Sequence, residues 1–266
     1  MQTECTLMDG HYQLPLPLRN ENIRMPNNRD QAVHRMNWLK RKFAKNEKVY
    51  NDYVTFMEEI LPNGYARRVP QGSRTPEGQC WYIYPNWVYH PKKPEKIRLV
   101  FNCSARYGGT SLNDQLIQGP DLTSSLIGVL TRFRQEPVAF TADIASMFYQ
   151  VRVPEGQRDW LRFLWWPGGD LTQNLQDYQM NVHLFGAVSS PSCSNFSLKK
   201  AAEDSAKEVG VETSDFLKKN LYVDDCLRSE KTENLAIERI KGVRIKGMST
   251  WRFSPHQIYL QQKNGP

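Results

Sequence analysis

Leu221-Tyr222-Val223-Asp224-Asp225-Cys226-Leu227-Arg228 sets two adjacent aspartates between apolar residues. Leu221, Tyr222 and Val223 read as a strand, and Cys226 and Leu227 as its return: a tight hairpin with acids at its tip. Neighbouring carboxylates repel each other, so packing two of them beside an apolar strand is costly unless a positive charge is shared between them. A divalent cation such as Mg²⁺ suits that place, because it takes hard oxygen ligands, usually one or two carboxylates plus substrate phosphates. A plain polar turn is the other reading of the same residues, since Asp favours turns.

A third acid lies upstream. Val138-Ala139-Phe140-Thr141-Ala142-Asp143-Ile144 is a strand-like run in which Asp143 sits near the end, between Ala142 and Ile144. A strand and a hairpin side by side in one sheet bring Asp143 to the tip that holds Asp224 and Asp225. Three converging acids make a two-metal phosphoryl-transfer site possible.

The chain has 266 residues, 39% hydrophobic and 24% charged, with a net charge of +7. That composition is globular and long enough for one large domain or two lobes. The charge is uneven: residues 1–136 hold 19 Lys+Arg against 13 Asp+Glu, and residues 137–266 hold 16 against 15. The first half is the better candidate for meeting a polyanion, with solvated basic faces as the alternative. The cysteines, Cys5, Cys80, Cys103, Cys193 and Cys226, form no C-x-x-C and no zinc spacing, which fits a reducing compartment. With no signal peptide and no bilayer-length apolar run, an intracellular location, cytoplasm or nucleus, and no membrane partner are expected.

Residues 1–27, rich in Pro and Asn, read as an extended lead-in. Asn28 is placed to cap a helix burying Ala32, Val33, Met36, Leu39 and Phe43, and a second helix from Asn46 presents Tyr50, Tyr53, Val54, Met57 and Leu61. Lys40-Arg41-Lys42 on the outer face of this pair reads as solubility. Strands are expected from Cys80 to Tyr84, Trp87 to Tyr89 and Ile97 to Phe101. Between the last two, Lys92, Lys93 and Lys96 on a Pro-stiffened loop, with Arg98 in the strand, suit phosphate binding. Asp121 or Thr123 caps a helix burying Leu122, Leu126, Val129, Leu130 and Phe133. After Asp143 comes a turn containing Phe148, then strands Leu161 to Trp166 and Tyr178 to Leu184. Phe185-Gly186-Ala187-Val188-Ser189-Ser190-Pro191 is a small-residue loop feeding a helix from Ser192 to about Glu208, and another helix begins near Thr232.

Taken together these residues resemble a reverse transcriptase. Ala142-Asp143 with Phe148, Phe185-Gly186 with Ser190-Pro191, and Tyr222-Val223-Asp224-Asp225 come in that family's order. Lys96-Ile97-Arg98-Leu99-Val100-Phe101-Asn102-Cys103-Ser104, Asn113-Asp114-Gln115-Leu116 through Gly119-Pro120-Asp121-Leu122, and His183-Leu184-Phe185-Gly186-Ala187 are similar to the pol polyprotein of BEL/Pao-type LTR retrotransposons. The resemblance covers roughly residues 8–240.

The resemblance implies an α+β fold, the fingers and palm of a right-hand polymerase, with a ferredoxin-like antiparallel palm sheet, helices on one face and no thumb. It implies bounds of 28–136 for N-terminal helices and fingers, 137–240 for a palm with fingers strands interleaved, and 241–266 for a divergent tail. It matches Asp143, Asp224 and Asp225 to a metal-binding catalytic triad for two Mg²⁺ (or Mn²⁺), and Ile144 to a backbone-carbonyl ligand. It matches Arg98, beside Lys96, to triphosphate binding, Phe148 to exclusion of a ribose 2′-OH, and Phe185 and Gly186 to the loop on the nascent pair. Phe185 stands where many relatives have Gln. The implied activity is RNA-directed DNA polymerisation, with template–primer and dNTPs as partners. The alternative is an inactive retroelement remnant that binds nucleic acid or another protein. A metal nuclease would also use three acids, but it explains neither Phe148 nor the loop at Phe185.

Overall fold

The computed structural model describes residues 4–90, 93–241 and 255–262. In chain order they form β1 (Thr6–Met8), β2 (His11–Gln13), α1 (Arg29–Phe43), α2 (Glu47–Ile60), β3 (Ala66–Arg68), β4 (Pro85–His90), β5 (Lys93–Phe101), α3 (Leu112–Gln115) and α4 (Leu126–Phe133). There follow β6 (Val138–Ile144), β7 (Arg162–Trp165), β8 (Gln176–Met180), α5 (Ser190–Asp204), α6 (Ala206–Val209), α7 (Val211–Lys219), β9 (Leu221–Tyr222), β10 (Asp225–Glu230), α8 (Glu233–Lys241) and β11 (Pro255–Gln262). Small antiparallel sheets mixed with helices agree with the α+β expectation. Two units interleave along the chain: Met1–Leu14, Gly119–Val151 and Pro191–Pro266 make the first, and Pro15–Gln118 with Arg152–Ser190 make the second. No helix among the described residues is long and apolar enough to cross a membrane.

The first unit is built on a four-stranded sheet in the order β11-β6-β10-β9. Side chains alternate across a strand, so Val138, Phe140 and Ile144 of β6 share one face and enter the same core as Leu198 of α5 and Phe216 of α7. Each contributes about 1.5–3 kcal/mol by burial. The opposite parity carries Thr141 and Asp143. The tail beyond residue 240, expected to diverge, supplies β11: its backbone pairs antiparallel with β6 from Ile258↔Ala142 to Gln262↔Val138. Paired on both edges, β6 is an interior strand. The lead-in also differs from expectation. Asp9-Gly10 closes a hairpin in which Met8 pairs with His11. Both turn residues have positive φ, 50° and 71°, which is the type I′ geometry that Asp-Gly adopts readily. The helix expected to end near Glu208 is followed by a separate α7. In α4, which starts at Leu126 rather than near Asp121, only Val129 of the expected stripe is buried.

The second unit contains the sheet β3-β8-β7 and the hairpin β4-β5. Its helices match the sequence reading closely. α1 buries Ala32, Met36, Leu39 and Phe43, while α2 buries Val49, Tyr53, Met57 and Ile60 rather than Tyr50, Val54 and Leu61. Asn46 caps α2 by accepting from the Val49 N–H at 3.1 Å. Asn28 does not cap α1; its amide bonds the Tyr82 carbonyl and N–H, both at 2.7 Å. Aromatic rings fill this core: Tyr53 stacks on Trp165 at 6.2 Å, and Phe43 meets Trp165 and Trp166 edge-on. The run Cys80 to Tyr84, expected as a strand, is a buried segment tied to Arg162 by the Ile83 N–H at 2.7 Å and by the Arg162 N–H to Trp81 at 3.1 Å. Lys92 lies outside the described residues, as do the side chains of Lys93 and Lys96, whose backbone belongs to β5.

A three-carboxylate candidate metal centre

The hairpin read from the sequence is present, shifted by one residue: Val223, expected in the first strand, lies in a two-residue turn, and Asp225, expected at the tip, opens the return strand. Tyr222 pairs with Asp225 and Leu221 with Cys226, so Val223 and Asp224 make the turn and Asp225 opens the return strand. Val223 has φ 58°. As the only one of the two turn residues with positive φ, it gives the turn a type II′ pattern, where glycine is the usual occupant. A β-branched residue there is strained by about 1–3 kcal/mol. The surroundings hold it. The Ile144 N–H donates to the Asp224 carbonyl at 2.9 Å and the Leu227 N–H to the Asn220 carbonyl at 3.0 Å, and the Asn220 amide donates to the Leu227 carbonyl at 3.1 Å.

Register brings in the third acid. Asp225 stands directly opposite Asp143 across the β10–β6 pair, and residues so paired share a face. One carboxylate oxygen from each of Asp143, Asp224 and Asp225 lies within 4.8 Å of the others. Asp143 and Asp224 are half-buried and Asp225 is exposed. Partial burial, and next the neighbouring Asp224, push the Asp225 carboxyl up from its ordinary value. On the core side of the same strand, burial pushes the Cys226 thiol up to about 12. The charge arrangement is adverse by itself, and a hard cation relieves it. Three anionic oxygens at this spacing are the donor set that Mg²⁺ or Mn²⁺ takes, so the residues present fit such an ion. Ile144, buried, belongs to the same unit and is joined to the turn by its N–H. Phe148 follows in a 3₁₀ turn, Met147–Gln150, and is 8% exposed.

The remaining residues singled out in the sequence belong to the second unit. Arg98 presents an exposed guanidinium on β5, opposite Val88. Phe185 is 39% exposed, and its carbonyl accepts from the Phe101 N–H at 3.0 Å. Gly186 has φ 116°, and a Cβ there would fall 1.8 Å from the Phe101 carbonyl oxygen, so only glycine fits. A brace the sequence reading left out of its site is Asn113. Its amide donates to the Gly186 carbonyl at 2.9 Å and to the Ser104 hydroxyl at 2.8 Å, and its oxygen accepts from the Val188 N–H at 3.0 Å. The signal was there, since Asn113 opens one of the stretches that carry the resemblance.

No family model matches the chain, and no curated protein matches it. Among solved structures, the foamy viral protease-reverse transcriptase dRH in complex with ds DNA is similar to it over 96% of this chain and 35% of its own length, with a TM-score of 0.54 and 15% identity. The chain therefore spans about a third of that protein, and the likeness is one of fold: the chain has a reverse-transcriptase-like fold.

Proposed function

We propose that the chain is the polymerase core of a reverse transcriptase, transferring a nucleotide from a dNTP to a primer 3′-OH on an RNA template. The observation that carries this reading is the convergence of Asp143, Asp224 and Asp225 within 4.8 Å in a fold similar to that of a reverse transcriptase. In this reading the first unit's sheet is the palm and the second unit carries the fingers, and the resemblance of the sequence motifs to BEL/Pao-type LTR retrotransposons supports that group as the source. Asp143, Asp224 and Asp225, with the Ile144 carbonyl, hold two divalent ions. Two such divalent ions, when bound, would lower the pKa of the 3′-OH and neutralise charge on the triphosphate.

The protein's own share is positioning. Opposed strands fix Asp143 against Asp225, and the strained turn fixes Asp224. Arg98 and Lys96 bind phosphate oxygens through charge-assisted hydrogen bonds. Phe148 stands against the sugar, and the Phe185–Gly186 loop, braced by Asn113, supports the nascent pair. Primer extension on an RNA template with Mg²⁺ and dNTPs, wild type beside Asp224→Asn, tests the reading. Extension by the wild type alone supports it. Extension by neither protein, with both folded and nucleic acid still bound, replaces it with a nucleic-acid-binding chain without turnover.

A further inference from the structure

We infer that the outer face of α1 is a docking surface for single-stranded nucleic acid, centred on Trp38. Trp38 is 39% exposed and lines an open groove of about 430 Å³ whose other lining residues are Arg41, Lys42, Lys45 and Asn46. Three of these five carry positive charge and none is acidic, so the groove is complementary to a phosphate backbone. Its volume lies within the range of sites that accept a nucleotide-sized group.

The tryptophan is held rather than loose. Its ring centroid is 6.0 Å from that of Trp87, which in turn meets the buried Tyr53 edge-on. An exposed indole anchored to an aromatic core is a pre-ordered stacking platform, and base stacking on such rings is tolerant of sequence. At present the Lys42 ammonium sits 5.2 Å from the ring centroid. A surface cation–π contact is weaker than a base stack. An arriving base therefore takes the ring, and Lys42 turns to the adjoining phosphate. The sequence alone makes Lys40-Arg41-Lys42 a solvated face, and Lys40 does turn aside, donating to the Leu171 carbonyl at 2.6 Å. Arg41 and Lys42 belong to the groove instead. The inference rests on the nucleic-acid reading above for its class of partner, and on none of the carboxylates.

The test is fluorescence anisotropy with a labelled oligo(dT) or oligo(rU) of about twelve nucleotides, in EDTA so that the carboxylate centre holds no ion. Trp38→Ala is expected to weaken binding about five- to hundredfold, and Trp38→Phe to restore most of it. Replacing Arg41, Lys42 and Lys45 together by Gln should flatten the slope of log affinity against log salt by about 2. These three side chains are exposed, so this variant keeps the measurement decisive if Trp38→Ala fails to fold. Wild-type affinity in folded Trp38→Ala, or an unchanged salt slope in the triple variant, overturns the inference. Primer extension is scored separately: a chain that binds through Trp38 without extending keeps the groove and loses the polymerase, and the converse loses the groove alone.

Discussion

Replacing Asp225 by Asn separates the cost of the carboxylate cluster from its use. With the carboxylate oxygens within 4.8 Å of one another, each pair of charges repels by at least about 0.9 kcal/mol at the dielectric of water and about 3.5 kcal/mol at an effective value of 20. Asp225 is exposed, so the aqueous figure applies. Two pairs, reduced by roughly a third to a half through screening in about 0.1 M salt, leave about 1 kcal/mol. The Asn variant has the same shape and no charge. In EDTA at neutral pH it should melt higher than wild type by about 2–4 °C. The sign with pH follows from the raised Asp225 carboxyl. A group whose folded-state pKa lies above its unfolded value contributes stability below the unfolded pKa and loses it as pH rises through the folded one. The advantage of the variant should therefore be small in acid and grow towards neutrality, and it should shrink in strong salt. Magnesium reverses the order. At ten times its dissociation constant an ion binding only the folded state adds about 1.4 kcal/mol, and wild type should gain this while the variant gains little. Differential scanning fluorimetry in EDTA and in Mg²⁺ reads both effects. A variant no more stable than wild type in EDTA, or one that gains as much from Mg²⁺, refutes the idea that these three acids form a charge-strained ion site.

The other perturbations act on backbone and braces. Gly186→Ala places a methyl 1.8 Å from the Phe101 carbonyl oxygen and should cost more than about 3 kcal/mol in urea unfolding, whereas Gly→Ala at an unstrained position would be neutral or stabilising. Asn113→Ala removes three hydrogen bonds around Phe185 and Gly186 and should cost about 1.5–4 kcal/mol, with faster hydrogen exchange confined to that loop and Ser104. Val223→Gly releases the strained φ and should raise the unfolding free energy in urea by about 0.5–2 kcal/mol after the entropy of glycine is subtracted; a fall would show that the turn is not strained. In the proposed polymerase, Arg98→Ala should raise the KM for dNTP about tenfold or more while leaving the fold intact, as expected for loss of a charge-assisted phosphate contact.

The parts of the molecule visible in its sequence are those that local chemistry determines. Val138 to Ile144 alternates, and its acid falls on the parity opposite Phe140; Asp224 and Asp225 stand between apolar residues that read as a hairpin. Together these bring Asp143 to the hairpin tip that holds Asp224 and Asp225. Asp9-Gly10 was equally readable, as a two-residue turn between short β-prone runs, but was masked by the prolines that follow it. Other features depend on partners distant in sequence. β11 is a strand because β6 offers it an unpaired edge. Of the stripe expected on α4, Val129 is buried, Leu122, Leu130 and Phe133 are half-buried, and Leu126 is 42% exposed, so tertiary packing covers it only in part. The short run at Trp81 to Tyr84 is apolar enough for a strand but takes its backbone partners from Arg162 and Asp159.

The same distinction explains why the carboxylate site was foreseeable and the groove on α1 was not. Acids in an apolar strand conflict with burial wherever the strand goes, so their presence asks for a cation before any fold is known. A Lys-Arg-Lys run on a helix conflicts with nothing, since water satisfies it. What gives Arg41 and Lys42 a second meaning is Trp38 beside them, 6.0 Å from Trp87 of a different element. A tryptophan one turn from Lys42 is unremarkable as text, because tryptophan is on average largely buried in a core. Left 39% exposed with its ring braced from behind, it is apolar surface that folding has fixed in place without covering. Basic side chains at its rim then limit what can cover it to something both flat and negatively charged.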